Sequence, residues 1–201
     1  MTSDHADPRG LWDAAAVRAC VAAMAQGDPD RRRFGSAHHG YRLRPALAEE
    51  TVLLFERQHG VRLPASYRSF VKDVADGGAG PDYGLLGLTE EVDEDEALYD
   101  LREEDRRAGF LSAPFPHTEA WPGPGKQGDA GYSVRGSLVI GECGCGTFHR
   151  LVVTGRNAGQ VWFDDPDWGG LTPGPDFRDW YSAWLAATWL PRHAQREQRL
   201  S

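Results

Sequence analysis

The chain has 201 residues, 40% of them hydrophobic, with 30 Asp and Glu against 22 Lys and Arg, so it carries a net charge of -8 and is too apolar for overall disorder. A chain of this length buries roughly 70% of its unfolded surface, so a core forms without disulfides or structural metal, and three cysteines, an odd number, exclude a secreted disulfide framework. No apolar run reaches the ~18 residues of a membrane span and no basic-then-apolar start marks a signal peptide, so a cytoplasmic protein away from membranes is expected.

In chain order, residues 11–26 are Ala-rich and place Trp12, Ala16, Cys20 and Met24 at fourfold spacing, which predicts a helix ended by Gly27 and Pro29. A polar loop over residues 27–45 follows, with Arg31, Arg32 and Arg33 as its short basic run. Nucleic-acid binding draws on clustered Lys and Arg, and this triplet reads instead as a surface patch, so no direct nucleic-acid contact is expected. A second helix is predicted over residues 48–59, carrying Val52 and Phe55 inward and capped by Gly60, with Val61 closing the cap. Pro64 then opens a third, in which Tyr67, Phe70, Val71 and Val74 share a face. The four-residue connection makes these two helices neighbours.

Residues 83–88 read as a short strand. Residues 90–107 hold ten acidic and three basic residues, so seven of the eight net negative charges lie in this one segment. Such a run is either a solvated face or a dedicated interaction surface. A long loop over residues 113–131, rich in Pro and Gly, follows. Strands are predicted over residues 137–141, 148–154 and 160–163, with Gly155 to Gly159 as a hairpin turn. Phe177, Trp180, Tyr181, Trp184 and Leu185 then form the stripe of a closing helix, with Asp176 at its start and Pro191 beyond its end. The expected fold class is α+β: a mostly antiparallel sheet packed against N-terminal helices and an aromatic-rich C-terminal helix.

Chemistry-bearing residues are sparse. The Gly-rich run 141–146 follows a strand but precedes β-branched residues, so it lacks the helix N-terminus that phosphate binding requires and reads as a tight turn. Cys143, Cys145 and His149, with His38 or His39, are weakly spaced for zinc, because structural sites separate their cysteines by two or more residues. No stoichiometric metal or other cofactor is therefore expected. A Cys145 nucleophile with His149 as base lacks an orienting third group. Asp164, Asp165 and Asp167 fit a divalent ion or an acid–base pair, but Asp and Pro also build turns without chemistry. Trp121 and Trp168 fall in predicted loops, where an exposed aromatic is a candidate contact anchor.

Three blocks resemble the SUKH superfamily, which includes fungal Smi/Knr regulators of cell-wall assembly and many bacterial immunity proteins. The first is ETVLLFERQHGVRLPASYRSFVKDVADGGAGPDYGLLGL, residues 50–88; the second is GSLVIGECGCGTFHRLVVTGRNAGQVWFDD, residues 136–165; the third is FRDWYSAWL, residues 177–185. Ala48 stands where the family often has a capping Ser. The resemblance implies one SUKH-like domain over residues 1–201, with its best-matching core at 45–190, a helical extension at 1–27 and a polar tail at 191–201. It implies no catalytic residues. The function it implies is a non-catalytic protein-binding module, an immunity protein that neutralises a secreted toxin such as a nuclease or deaminase domain. A regulatory scaffold for endogenous partners is the alternative, and a metal-dependent enzyme ranks below both. The expected partner-binding residues are Glu94, Asp95, Glu96, Glu103, Glu104 and Asp105, an acidic lure for a basic toxin surface, with Trp121 and Trp168 as apolar anchors.

Overall fold

The computed structural model describes residues 12–89, 96–123, 131–167 and 169–189. Among them run the helices α1 (Ala14–Gly27), α2 (Ser36–His39), α3 (Glu49–His59), α4 (Ala65–Ser69), α5 (Glu96–Asp105) and α6 (Phe177–Trp189). The strands β1 (Ser137–Gly144), β2 (Thr147–Val152), β3 (Val161–Asp165) and β4 (Gly170–Thr172) form one antiparallel sheet in the order β1-β2-β3-β4. The architecture is the expected α+β. Leu11, residues 124–130 of the long loop, Pro191 and the polar tail lie outside the described residues.

Asp13 caps α1 by accepting the Ala16 N–H at 2.9 Å. The buried residues of α1 are Val17, Val21 and Met24, while Ala16 is exposed, so the predicted stripe is displaced. A strict fourfold spacing rotates by about 40° at each step around a helix of 3.6 residues per turn, so four such positions spread over about 120°, and Ala16 falls outside the buried arc. Trp12 precedes the helix and donates its indole N–H to the Ser66 carbonyl at 2.7 Å, with its ring edge-on to Phe70 and Tyr181.

Helix α3 begins after Ala48, which offers no capping side chain, and ends at Gly60 with φ 64°. The Gly60 and Val61 N–H groups return to the carbonyls of Arg57 and Glu56, as the sequence predicts for a left-handed cap. Glu56 is buried; its carboxylate accepts the Leu63 N–H at 2.9 Å and the Arg68 Nε–H at 3.0 Å. Arg68 also pairs with Glu49, so a single guanidinium ties both ends of α3 to α4. Tyr67, Phe70, Val71 and Val74 are all buried, as predicted. The helix does not stay α-helical, however: a π-helical turn covers Phe70–Val74, closed by the Ala75 N–H on the Phe70 carbonyl at 3.0 Å.

The stretch predicted as a strand over residues 83–88 contributes one isolated β-bridge, at Leu85, rather than a strand. Gly78 and Leu85 exchange backbone hydrogen bonds of 2.7 Å, and the Leu86 N–H reaches the Ile140 carbonyl at 2.8 Å, so the segment lies beside β1. Glycine is obligatory at position 78, because a Cβ there would stand 2.2 Å from the Arg42 carbonyl oxygen. The run 141–146 is a turn only at its end: residues 141–144 continue β1, and Cys145 and Gly146, both at positive φ, link β1 to β2. Gly155–Gly159 likewise links β2 to β3, with the Gly159 N–H on the Val152 carbonyl.

The main core joins the two helical ends of the chain to the sheet. Phe70, Tyr67, Phe177 and Tyr181 pack ring to edge and merge with Leu138, Ile140 and Leu151 of the sheet. The buried Tyr181 hydroxyl donates to the Ala79 carbonyl at 2.7 Å. Helix α5 packs on β1 and β2 through Leu98, which clusters with Val139 and Phe148. No helix among the described residues is long and apolar enough to cross a membrane.

Candidate protein-binding surface

The acidic segment folds, from Glu96 onward, into an amphipathic helix. Leu98, Leu101, Arg102 and Asp105 recur at helical spacing and turn inward, whereas Tyr99, Asp100 and Glu103 are exposed. Two charged residues thus sit on the buried side. Asp105 is 0% exposed; one carboxylate oxygen accepts the Val139 N–H at 2.7 Å and the other accepts from Arg150 Nη1 at 3.0 Å. Arg150, in the middle of β2, also donates its Nε–H to Asp164 at 2.6 Å, and the Tyr132 hydroxyl donates to the same carboxylate. Arg102 donates to the Gly87 carbonyl at 2.6 Å.

Charge pairing holds this interior cluster ionised at its guanidinium. Burial alone would favour neutral Arg150, but the carboxylates of Asp105 and Asp164 outweigh it and raise its pKa. Burial raises the pKa of Asp105, against the opposing pull of Arg150 and the Val139 N–H. Asp105 therefore corrects the sequence expectation: a carboxylate enclosed by Arg150 and the β1 backbone offers no charge to a partner, and it fastens α5 to the sheet. Asp164 departs from the turn reading for the same reason, since it lies in β3 with its carboxylate committed to Arg150 and Tyr132. Asp165 also lies in β3, and only Asp167 is an exposed turn residue.

The outward side of α5 is where the acidity is presented. Asp100, Glu104 and Asp167 line one open depression together with Leu101, Phe148 and Arg107. The fold thereby brings the β3–β4 turn, more than sixty residues downstream, beside the acidic helix. Tyr99 is 53% exposed, one turn before Glu103 on the same face of α5. Sequence reasoning passed over Tyr99; its one signal was a lone aromatic in a charged helix.

Trp121 occupies a different setting from the loop anchor expected of it. Its backbone exchanges two hydrogen bonds of 2.8 Å with Leu171 of β4, and its half-buried ring packs on Tyr132. Glu94, Asp95 and Trp168 lie outside the described residues, and Glu96 contributes its backbone to the start of α5.

The soft-ligand candidates separate into two groups. Cys143 and His149 come together with Asp82, while Cys145 is exposed in the hairpin turn. His38 stacks on Tyr83 at 4.2 Å, and His39 accepts the Tyr41 N–H on Nδ1. Burial, reinforced by the Asp82 carboxylate, pushes the Cys143 thiol up to about 12, the opposite of an activated nucleophile.

Compared with known families, residues 46–183 match the SMI1 / KNR4 family (SUKH-1). The chain belongs to this family. The SMI1/KNR4 match runs from just before α3 into α6 and includes the whole sheet and the acidic helix, whereas α1 and α2 precede it. No curated protein and no solved structure matches the chain.

Proposed function

We propose that this SMI1/KNR4 protein is a non-catalytic binding module that neutralises a toxin by stoichiometric binding, through the outward face of α5 and the adjoining β3–β4 turn. The observation that carries this reading is the arrangement of charge. Most of the chain's net negative charge lies in residues 90–107; Asp100 and Glu104 share a depression with Asp167, and Glu103 is exposed on the same helix. A toxin acting on nucleic acid, such as a nuclease or deaminase, must present a basic surface to bind phosphate. An acidic face of this kind steers such a partner and sets its orientation. Lasting contact requires buried apolar area, and a stable interface buries about 1,600 Å² in total. Tyr99, exposed on the same helix, supplies an aromatic anchor beside the acidic residues.

The test begins with the genes beside this one: a toxin domain encoded there is co-expressed with the chain, and association of the purified pair is followed by stopped flow. Asp100→Asn, Glu103→Gln and Asp167→Asn together should slow association about tenfold at low salt and flatten its salt dependence. Tyr99→Ala should chiefly speed dissociation. An unchanged association rate and salt slope would move the binding surface elsewhere. Complexes with several endogenous proteins and none with a toxin would favour the regulatory-scaffold reading.

A further inference from the structure

We infer that Asp82, Cys143 and His149 form a three-ligand site for a divalent transition metal, zinc by its chemistry, at the junction of β1, β2 and the segment leading into residues 83–88. Each residue contributes one ligand atom, and the three atoms lie within 4.8 Å of one another. In a tetrahedral zinc site with bond lengths of 2.0–2.3 Å, neighbouring ligand atoms are about 3.3–3.6 Å apart. Adjustments of about 1 Å at side-chain torsions therefore bring them onto a common ion. Thiolate, imidazole and carboxylate are the three donor types that zinc takes. Chain spacing conceals the site, since Asp82 lies 67 residues before His149.

Each ligand is held by surrounding structure. The β1–β2 ladder pairs Glu142 with Phe148 and Gly144 with Thr147, which makes Cys143 the extra residue of a β-bulge, the device that re-aims a side chain in a strand. His149 is braced edge-on by Trp180 at 4.9 Å, and its Nε2 already lies 2.7 Å from the Asp82 carboxylate. Asp82 has φ 52° in a turn fastened by the Gly84 N–H on the Pro81 carbonyl, and the neighbouring Tyr83 N–H reaches the Glu142 carbonyl of β1. Positions braced in this way meet the requirement that ligands be placed before the ion arrives. The three ligands are all half-buried, which leaves a path for an ion and a fourth coordination position for water. A Cys–His–Asp catalytic triad is the competing reading of the same residues. It requires a hydrogen bond from the thiol to His149, whereas the Cys143 side chain hydrogen-bonds with Thr147 and Asp82 and the His149 Nε2 lies against the Asp82 carboxylate.

The experiment is a Co(II) titration of the full chain after chelator treatment. One equivalent should produce a thiolate-to-cobalt charge-transfer band with the visible bands of a tetrahedral ion, and Zn(II) should erase both. Cys143→Ser should abolish the charge-transfer band, Asp82→Asn should weaken binding more than tenfold, and Cys145→Ser should change neither. Far-ultraviolet circular dichroism checks that each variant is folded, and the wild-type titration stands regardless of the variants. Absence of a saturable band at one equivalent overturns the proposal. So does a band that survives Cys143→Ser but disappears in Cys145→Ser, which would place the ion on the exposed turn.

Discussion

Replacing Asp105 with Ala removes the acceptor of the Val139 N–H and one of the two carboxylates that neutralise Arg150, all at a position with 0% exposure. Arg102, 2% exposed, adds a second guanidinium beneath the same helix. Asp164 would then be the one buried carboxylate facing Arg150. Removing one partner of a buried ion pair costs about 3–5 kcal/mol, because the remaining charge is left uncompensated. A domain has about 5–15 kcal/mol in total, so the loss is a large fraction of its stability. With about 2–4 °C of melting temperature per kcal/mol at this chain length, the midpoint should fall by about 6–20 °C. Urea unfolding and thermal melts followed by circular dichroism measure both quantities. Glu103→Ala is the control: the same helix and the same charge, but solvent-exposed, with an expected change within about 0.5 kcal/mol. A loss below about 1 kcal/mol for Asp105→Ala, or equal losses for the two variants, would refute the argument that this carboxylate anchors α5.

Phe70→Ala should cost about 3–5 kcal/mol in urea unfolding, as large truncations in a close-packed core do, since Phe70 is 0% exposed among Trp12, Phe177 and Tyr181; a loss under about 1 kcal/mol would contradict that packing. Burial would raise the pKa of Asp28, but hydrogen bonds from the Tyr41 hydroxyl and the N–H groups of Arg32 and Arg33 outweigh it and hold the carboxyl at about 2. Because an unfolded Asp titrates near ~3.9, the stability from Asp28 is complete above that pH and is lost as pH falls toward 2. Asp28→Asn should therefore make acid unfolding less steep across this interval, and an unaltered acid limb would count against the hydrogen-bonded carboxylate.

The parts of the fold legible in the sequence are those whose determinants are local. The Gly60 cap, the Tyr67–Val74 stripe, the two hairpin turns and the closing aromatic helix each declare themselves within a dozen residues, through spacing and residue type. Strand β4 did not, because Gly170–Thr172 is three residues long and its pairing comes from β3 and from Trp121 within the long loop, about fifty residues upstream. The candidate binding face was half legible. The acidic run is plain in the sequence, but its division into an outward and an inward side depends on what α5 packs against.

Arg150 marks where local information ends. A charged residue inside the strand sequence FHRLVVT calls for a partner, and nothing adjacent in the chain supplies one. Its carboxylates come from α5 and β3, 45 and 14 residues away. Asp82, Cys143 and His149 converge in the same manner, from a turn, a bulge and a strand. Hydrophobic periodicity and turn chemistry are properties of neighbouring residues, so the sequence alone determined most of the elements, the fold class and the family. Burial of charge and convergence of side chains depend on distances that exist only after the sheet has formed. Tertiary structure therefore decided which acidic residues remain outside, which are locked within, and which polar groups meet.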